Sequence, residues 1–183
     1  CGRADNDSGG DRKMTGKLDV LAAAVIKNFR ERGLSLSLAE SCTGGMIAAA
    51  LTGVPGASDI FWGSAVTYIN SAKEHILGVS SETLERHGAV SEECAREMAE
   101  GSRRIYGADL AMSVTGIAGP GGGSDTKPVG TVWFGFSSKN GTEAFRRLFE
   151  GDREAVRRHT VEQVLACLIE KCAAEDAHGE GTK

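Results

Sequence analysis

The sequence predicts an α/β protein, a three-layer α/β/α sandwich with a mixed, mostly parallel sheet closed by an antiparallel hairpin. Three observations carry this. Leu34, Leu36 and Leu38 alternate with Ser35 and Ser37 at the two-residue period of a strand, and the run leads through a glycine-containing turn into an alanine-rich helical stretch. Helical stretches alternate with the first three strand-like runs, the order that builds a sheet covered by helices on both faces. Lys139-Asn140-Gly141-Thr142 then separates two β-branched and aromatic runs, a tight-turn signal that makes the last two strands antiparallel neighbours.

In chain order, Leu18, Leu21, Ala22, Val25 and Phe29 recur at helical spacing and Gly33 follows as a stop, so residues 17–32 are predicted to be a helix. A strand over 34–39 and a helix over 43–52 follow, ending at the break Gly53-Val54-Pro55-Gly56. Residues 64–69 have the composition of a second strand, and Asn70-Ser71 is placed to cap a short helix over 72–77. Residues 79–90 read as a short helix and turn that Ser81 caps and Gly88 ends. Ser91 caps a longer helix, whose Ala95, Met98, Ala99, Ser102 and Ile105 share one face and which Gly107 ends. Strand three covers 109–115, where Leu110, Met112 and Val114 alternate with smaller residues, and opens into the glycine-rich loop 116–123. Strands four and five cover 131–136 and 143–149, and the last helix covers 152–174.

The 183 residues suffice for one domain with a substantial core. Residues 1–16, polar and glycine-containing, read as a disordered extension, 17–175 as a single domain and 176–183 as a polar tail. A net charge of −4 with scattered basic residues leaves no nucleic-acid footprint. No apolar run approaches the roughly 18 residues that span a bilayer, and no signal peptide is visible. The five cysteines are odd in number and show no zinc spacing, which fits reduced thiols in a cytoplasm and no metal site. Glycine is the outlier: 25 residues, roughly twice the usual share, concentrated at Gly44-Gly45 and in 116–123.

In open α/β sheets, ligands gather beyond the carboxyl ends of the parallel strands. Ser41, Tyr68 with Asn70, and Thr115-Gly116 are all predicted to lie there. Ser41 opens the turn Ser41-Cys42-Thr43-Gly44-Gly45, where the first N–H groups of the next helix lack internal partners and suit a developing oxyanion. A serine hydroxyl needs a base. His75, His87, His159 and His178 fall on helices or in the tail, away from the turn. Lys73 stands in the first turn of the helix after Tyr68, where burial would strip its charge, with the Tyr68 phenol relaying or positioning the proton. The same residues also fit purely structural roles: Ser41 or Thr43 as a helix cap, the glycines for close packing, Lys73 solvated and Tyr68 an edge aromatic. Cys42 is a rival nucleophile that lacks a histidine partner by spacing. The loop 116–127 lacks the ending of a P-loop, yet its N–H groups, Gly119 among them, and Arg153 offer donors for a phosphate; a plain crossover is the alternative.

Ala39-Glu40-Ser41-Cys42-Thr43-Gly44-Gly45, Thr67-Tyr68 with Asn70 and Lys73, His87-Gly88-Ala89-Val90-Ser91, Thr115-Gly116-Ile117-Ala118-Gly119-Pro120, Lys127-Pro128-Val129-Gly130-Thr131-Val132 and Gly151-Asp152-Arg153 closely resemble in order the C-terminal domain of the competence/damage-inducible CinA family, over residues 17–173. The resemblance implies an amidohydrolase that converts nicotinamide mononucleotide to nicotinate mononucleotide and ammonia in pyridine-nucleotide recycling. It assigns a catalytic serine, lysine and tyrosine to Ser41, Lys73 and Tyr68. It also implies no metal or organic cofactor, a homodimer, a nucleotide rather than nucleic-acid or membrane partner, and a stand-alone form without the N-terminal domain of longer relatives. Backbone N–H groups of Thr43, Gly44 and Gly45, with Thr115-Gly116, are the expected oxyanion donors. The alternative is a non-catalytic module of the same fold that binds a nucleotide or a protein partner.

Overall fold

Leu36 and Leu38 turn to one face of their strand while Ser37 and Ala39 turn to the other, and this alternation sets the layers of the molecule. The computed structural model describes residues 9–176. Its strands are β1 (Leu36–Glu40), β2 (Phe61–Val66), β3 (Leu110–Gly116), β4 (Thr131–Ser138) and β5 (Gly141–Leu148). They form one sheet in the order β2-β1-β3-β4-β5. β1 runs parallel to both β2 and β3, whereas β4 is antiparallel to β3 and β5, so the mixed sheet divides its pairings evenly between the two kinds.

On one face, Leu36, Leu38, Met112, Val114, Val132 and Phe134 build the larger core with helices α1 (Gly9–Arg32), α2 (Met46–Thr52) and α6 (Arg153–Asp176). On the other face lie the one-turn helix α3 (Asn70–Ala72), a π-helical turn over Lys73–Leu77, α4 (Ser81–Arg86) and α5 (Glu92–Tyr106). There Ala39 and Ala65 meet Leu77, Cys94 and Met98. Ser113 Oγ donates to the Ala95 carbonyl of α5 at 2.6 Å. The result is the expected α/β/α sandwich. β2, β1 and β3 are adjacent and parallel, so their carboxyl ends share one edge of the sheet.

Several boundaries differ from the sequence reading, each for a local reason. α1 begins at Gly9, inside the segment read as disordered, because prolonging a helix already docked by its apolar stripe costs far less than nucleating one. The remainder of that segment, and the tail beyond Asp176, lie outside the described residues. β2 starts at Phe61, which pairs with Leu36, and ends at Val66, leaving Tyr68 and Ile69 past the strand. α2 starts at Met46 rather than at residue 43, because Gly44 (φ 61°) and Gly45 (φ 96°) hold left-handed conformations that helical residues cannot adopt. Asn70 and Ser71 lie inside α3 rather than capping it. Ser80, not Ser81, caps α4 by accepting the Thr83 N–H at 3.3 Å. Ser91 caps α5 as expected, accepting the Cys94 N–H at 3.2 Å. Ser138 pairs with Gly141, which leaves Lys139-Asn140 as the hairpin turn.

Candidate active site

The Ser41 N–H donates to the Val114 carbonyl at 3.1 Å, so the alternation of β1 continues one residue past its end. Glu40 therefore faces α2 and Ser41 faces the π-helical turn. Such turns insert one extra residue per turn and recur at functional sites. Lys73 begins this one and is 1% exposed. Its Nζ lies 3.1 Å from Ser41 Oγ and donates to the Thr67 carbonyl at 2.8 Å. Burial pushes the Lys73 ammonium below its ordinary range, opposed by the nearby thiols of Cys94 and Cys42. A neutral amine keeps two hydrogens and one lone pair: Thr67 takes a hydrogen, and the lone pair remains for the Ser41 hydroxyl. The depth of the turn is set from behind. Arg104 Nη2 donates to the Leu77 carbonyl at 2.9 Å, and that carbonyl rests on Gly101 of α5, where a Cβ would collide with it.

A crevice of about 230 Å³ opens over this pair. It brings together Ser41, Lys73, Tyr68, Asn70, Thr115, Gly116 and Arg153, as the shared strand ends predict. Gly119 is off the wall, and its carbonyl accepts from Arg153 Nη1 at 2.8 Å. Tyr68 is not interposed between serine and lysine as the relay reading expected. Its side chain stands at the lip, 57% exposed, and its hydroxyl accepts from Arg153 Nη2 at 2.9 Å. Two of the expected oxyanion donors are already engaged: the Gly44 N–H donates to the Ser41 carbonyl at 3.1 Å and the Gly45 N–H to Glu40 Oε2 at 3.0 Å. Thr115 Oγ1 donates to the Ala89 carbonyl at 2.7 Å, fixing the wall beside Ser41 on the adjacent strand. Cys42 lines the crevice, but burial pushes its thiol up to about 11, the wrong direction for a nucleophile. His75, His87 and His159 are engaged elsewhere, with Ser71, Glu93 and Phe149, and His178 lies outside the described residues. Among the described residues no group of three His, Cys, Asp or Glu could hold a metal ion, and no helix is long and apolar enough to cross a membrane.

The pattern of the family described as CinA C-terminal domain matches residues 18–172. The chain belongs to this family. Solved CinA-superfamily proteins from Klebsiella pneumoniae and Escherichia coli share its fold, with TM-scores of 0.83 and 0.81 at 41% and 36% identity. They cover 86% and 93% of this chain, which in turn covers 98% and 94% of theirs. CinA-like proteins of Geobacter sulfurreducens and Pseudothermotoga lettingae are 50% and 49% identical over 82% and 84% of this chain. The aligned part is 36% and 37% of those proteins, so the chain spans about a third of the length of these relatives.

In this CinA domain the residue left without a role by the sequence reading, though it stands in the motif that carries the family resemblance, is Glu40. Its carboxylate is fully buried and accepts five hydrogen bonds. Oε2 receives Thr43 Oγ1 at 2.7 Å and the N–H groups of Gly45 and Ile47 at 3.0 and 3.1 Å; Oε1 receives the Ala48 N–H at 2.9 Å and Ser64 Oγ at 3.2 Å. The signal available in the sequence was a glutamate at an inward-facing position of a strand whose Leu36 and Leu38 are core, a placement that demands partners. Gly101 and Thr67 were equally silent, since one acts by lacking a side chain and the other through its backbone oxygen.

Proposed function

We propose that this CinA domain is a serine amidohydrolase that deamidates nicotinamide mononucleotide to nicotinate mononucleotide and ammonia. The observation that carries the reading is the 3.1 Å approach of a buried lysine amine, displaced toward its neutral form, to a serine hydroxyl at the floor of a crevice. Family membership supports the choice of substrate, and the Arg153 guanidinium at the lip offers a fork of donors to a phosphate.

The chemistry runs as follows in this proposal. Ser41 Oγ bonds to the carboxamide carbon while its proton passes directly to Lys73 Nζ. The Thr67 carbonyl steadies the ammonium so formed. The tetrahedral oxyanion is held by the N–H groups of the turn that Glu40 and Ser41 leave open, foremost that of Thr43. Lys73 returns the proton to the amide nitrogen as the carbon–nitrogen bond breaks and ammonia departs, leaving an ester on Ser41. Water adds to that ester, again giving a proton to Lys73, and Lys73 returns that proton to Ser41 Oγ as the carbon–oxygen bond breaks, so the acid is released with both the serine hydroxyl and the neutral amine restored. Tyr68 acts at the lip, by orienting Arg153. The active form in this reading is a cytoplasmic homodimer.

Ammonia release from nicotinamide mononucleotide is the test. The native chain is expected to release ammonia stoichiometrically with the acid product, and Ser41→Ala to release none while keeping its melting temperature. A binding module of the same fold would gain melting temperature with the nucleotide and release no ammonia; that outcome, or turnover by Ser41→Ala, sinks the proposal.

A further inference from the structure

Helix α2 is capped in an unusual way. Its N-cap residue is Gly45, which has no side chain, and no side chain from that position bonds to the helix. The acceptor that satisfies its first turn comes instead from Glu40, five positions upstream and on the neighbouring strand. We propose that Glu40 is the positioning residue of the nucleophile turn: it holds residues 41–45 in the conformation that keeps Ser41 Oγ against Lys73. This deepens the amidohydrolase reading above and rests on Ser41 being the nucleophile.

The geometry explains how the residue acts without touching substrate. Glu40 and Ser41 are adjacent, one on each side of β1, so a force on the first is transmitted through a single peptide to the second. Oε2 gathers three donors that bracket the turn, Thr43 in its middle, Gly45 at its end and Ile47 beyond it. Gly44 and Gly45 add no side-chain restraint of their own at φ 61° and 96°, and glycine gives the unbound turn more conformations than any other residue. The restraint therefore has to come from outside the turn: the Glu40 carboxylate binds three donors that bracket it, and Arg157 Nη2 of α6 adds one bond to the Thr43 carbonyl at 2.9 Å. Every partner is a donor, a pattern an acceptor-only carboxylate satisfies and an amide of the same shape does not. The arrangement has a second effect. The positive end of α2 is spent on Glu40, which is why the oxyanion donors in this site are N–H groups of the turn rather than of the helix.

The test reads Ser41 reactivity by two routes, ammonia release and the rate of phosphonylation by a fluorophosphonate probe, on the native chain and three variants. Glu40→Gln is expected to lower kcat and the labelling rate at least 20-fold with KM within threefold, and to leave the pH midpoint of labelling where the native chain has it. Thr43→Val, which removes one donor to Oε2 and keeps the backbone, is expected to lower both rates about fivefold. Ser64→Ala, which removes a donor to Oε1 remote from the turn, is expected to stay within twofold. If Glu40→Gln is folded and within threefold of native, or if it moves the pH midpoint while the plateau rate is unchanged, Glu40 is not a positioning residue. Should Glu40→Gln be unfolded at the assay temperature, Thr43→Val decides, and native rates in it overturn the proposal. A native chain labelled at Ser41 that releases no ammonia would remove the substrate assignment and leave the labelling series to judge Glu40. Absence of labelling in the native chain overturns both.

Discussion

The amine of Lys73 donates to the backbone carbonyl of Thr67 at 2.8 Å, so the hydrogen bond that orients the candidate base is anchored on main chain rather than on a mutable side chain. Substitution at position 67 leaves this carbonyl acceptor in place unless it disturbs the strand end, where the Thr67 N–H donates to the Glu40 carbonyl. Replacing Lys73 is the direct probe. Lys73→Met keeps the apolar stem and removes the lone pair, and kcat for amide release is expected to fall by between about 10² and 10⁴-fold, the usual worth of a general base. Steady-state ammonia assays check this. A loss confined to KM would remove Lys73 from the proton path.

The same lysine sets a pH dependence whose sign follows from its burial. Its folded pKa lies below the ordinary 10.5, so between the folded value and 10.5 the unfolded chain binds a proton that the folded chain does not. Stability therefore rises with pH across that window, and the destabilisation is complete below the folded pKa, where the buried Lys73 carries its charge in the folded chain as well. Activity rises with pH through the folded value. Urea unfolding of the native chain and Lys73→Met between pH 7 and 10 should show an upward slope in the first that the second lacks; parallel curves would contradict the shift.

Gly101 ties α5 to the Lys73 turn through the Leu77 carbonyl. Gly101→Ala improves helix propensity but drives a methyl into a backbone oxygen that has no room to move. The expected outcome is a net destabilisation of about 1–3 kcal/mol, with kcat reduced further than KM is raised because the π-helical turn is displaced. Chemical denaturation and kinetics on the same preparation measure both. A stabilised, fully active variant would show that the contact yields freely.

Tyr68 and Lys73 should separate kinetically. Tyr68→Phe deletes the acceptor for Arg153 Nη2 while leaving the Ser41–Lys73 contact intact. It is expected to raise KM several-fold with kcat changed by less than about tenfold, the signature of lost binding rather than lost proton transfer. A collapse of kcat comparable to that of Lys73→Met would return the phenol to the proton path.

Cys42 should prove dispensable. Its thiol is pushed up to about 11 and is buried beside Ser41. Cys42→Ala is expected to keep activity within threefold and to cost about 1 kcal/mol of stability, the scale of one lost buried group. Iodoacetamide at pH 7.5 should leave the folded chain active; inactivation at this residue would reinstate the thiol.

The parts of this fold legible in the sequence were those written in side-chain periodicity or turn chemistry. The leucine–serine alternation placed β1 with its ends one or two residues off, and Asn140-Gly141 placed the hairpin. The convergence of Ser41, Lys73 and Thr115 followed from strand ends sharing an edge. What stayed hidden depends on groups that side-chain identity does not encode. The start of α2 was misjudged because two glycine dihedrals and a carboxylate from the preceding strand decide it. The direct approach of Lys73 to Ser41 rests on a π-helical turn, whose extra residue is visible only once Gly101 and Leu77 are in contact. Tyr68 was expected inside the crevice, but β2 ends at Val66 and leaves the phenol at the lip.

Strand β1 and the residue after it place the proposed clamp, Glu40, and the proposed nucleophile, Ser41, on consecutive positions that open into different layers of the sandwich. Removing one residue from the segment 36–39 would present a carboxylate to Lys73 and a hydroxyl to the amides of α2, destroying both arrangements together and burying serines where leucines belong. Substitutions reach one layer at a time. The site can thus be altered by replacement on either side of the sheet, but the length of this strand is fixed as strictly as the identity of the residues it carries.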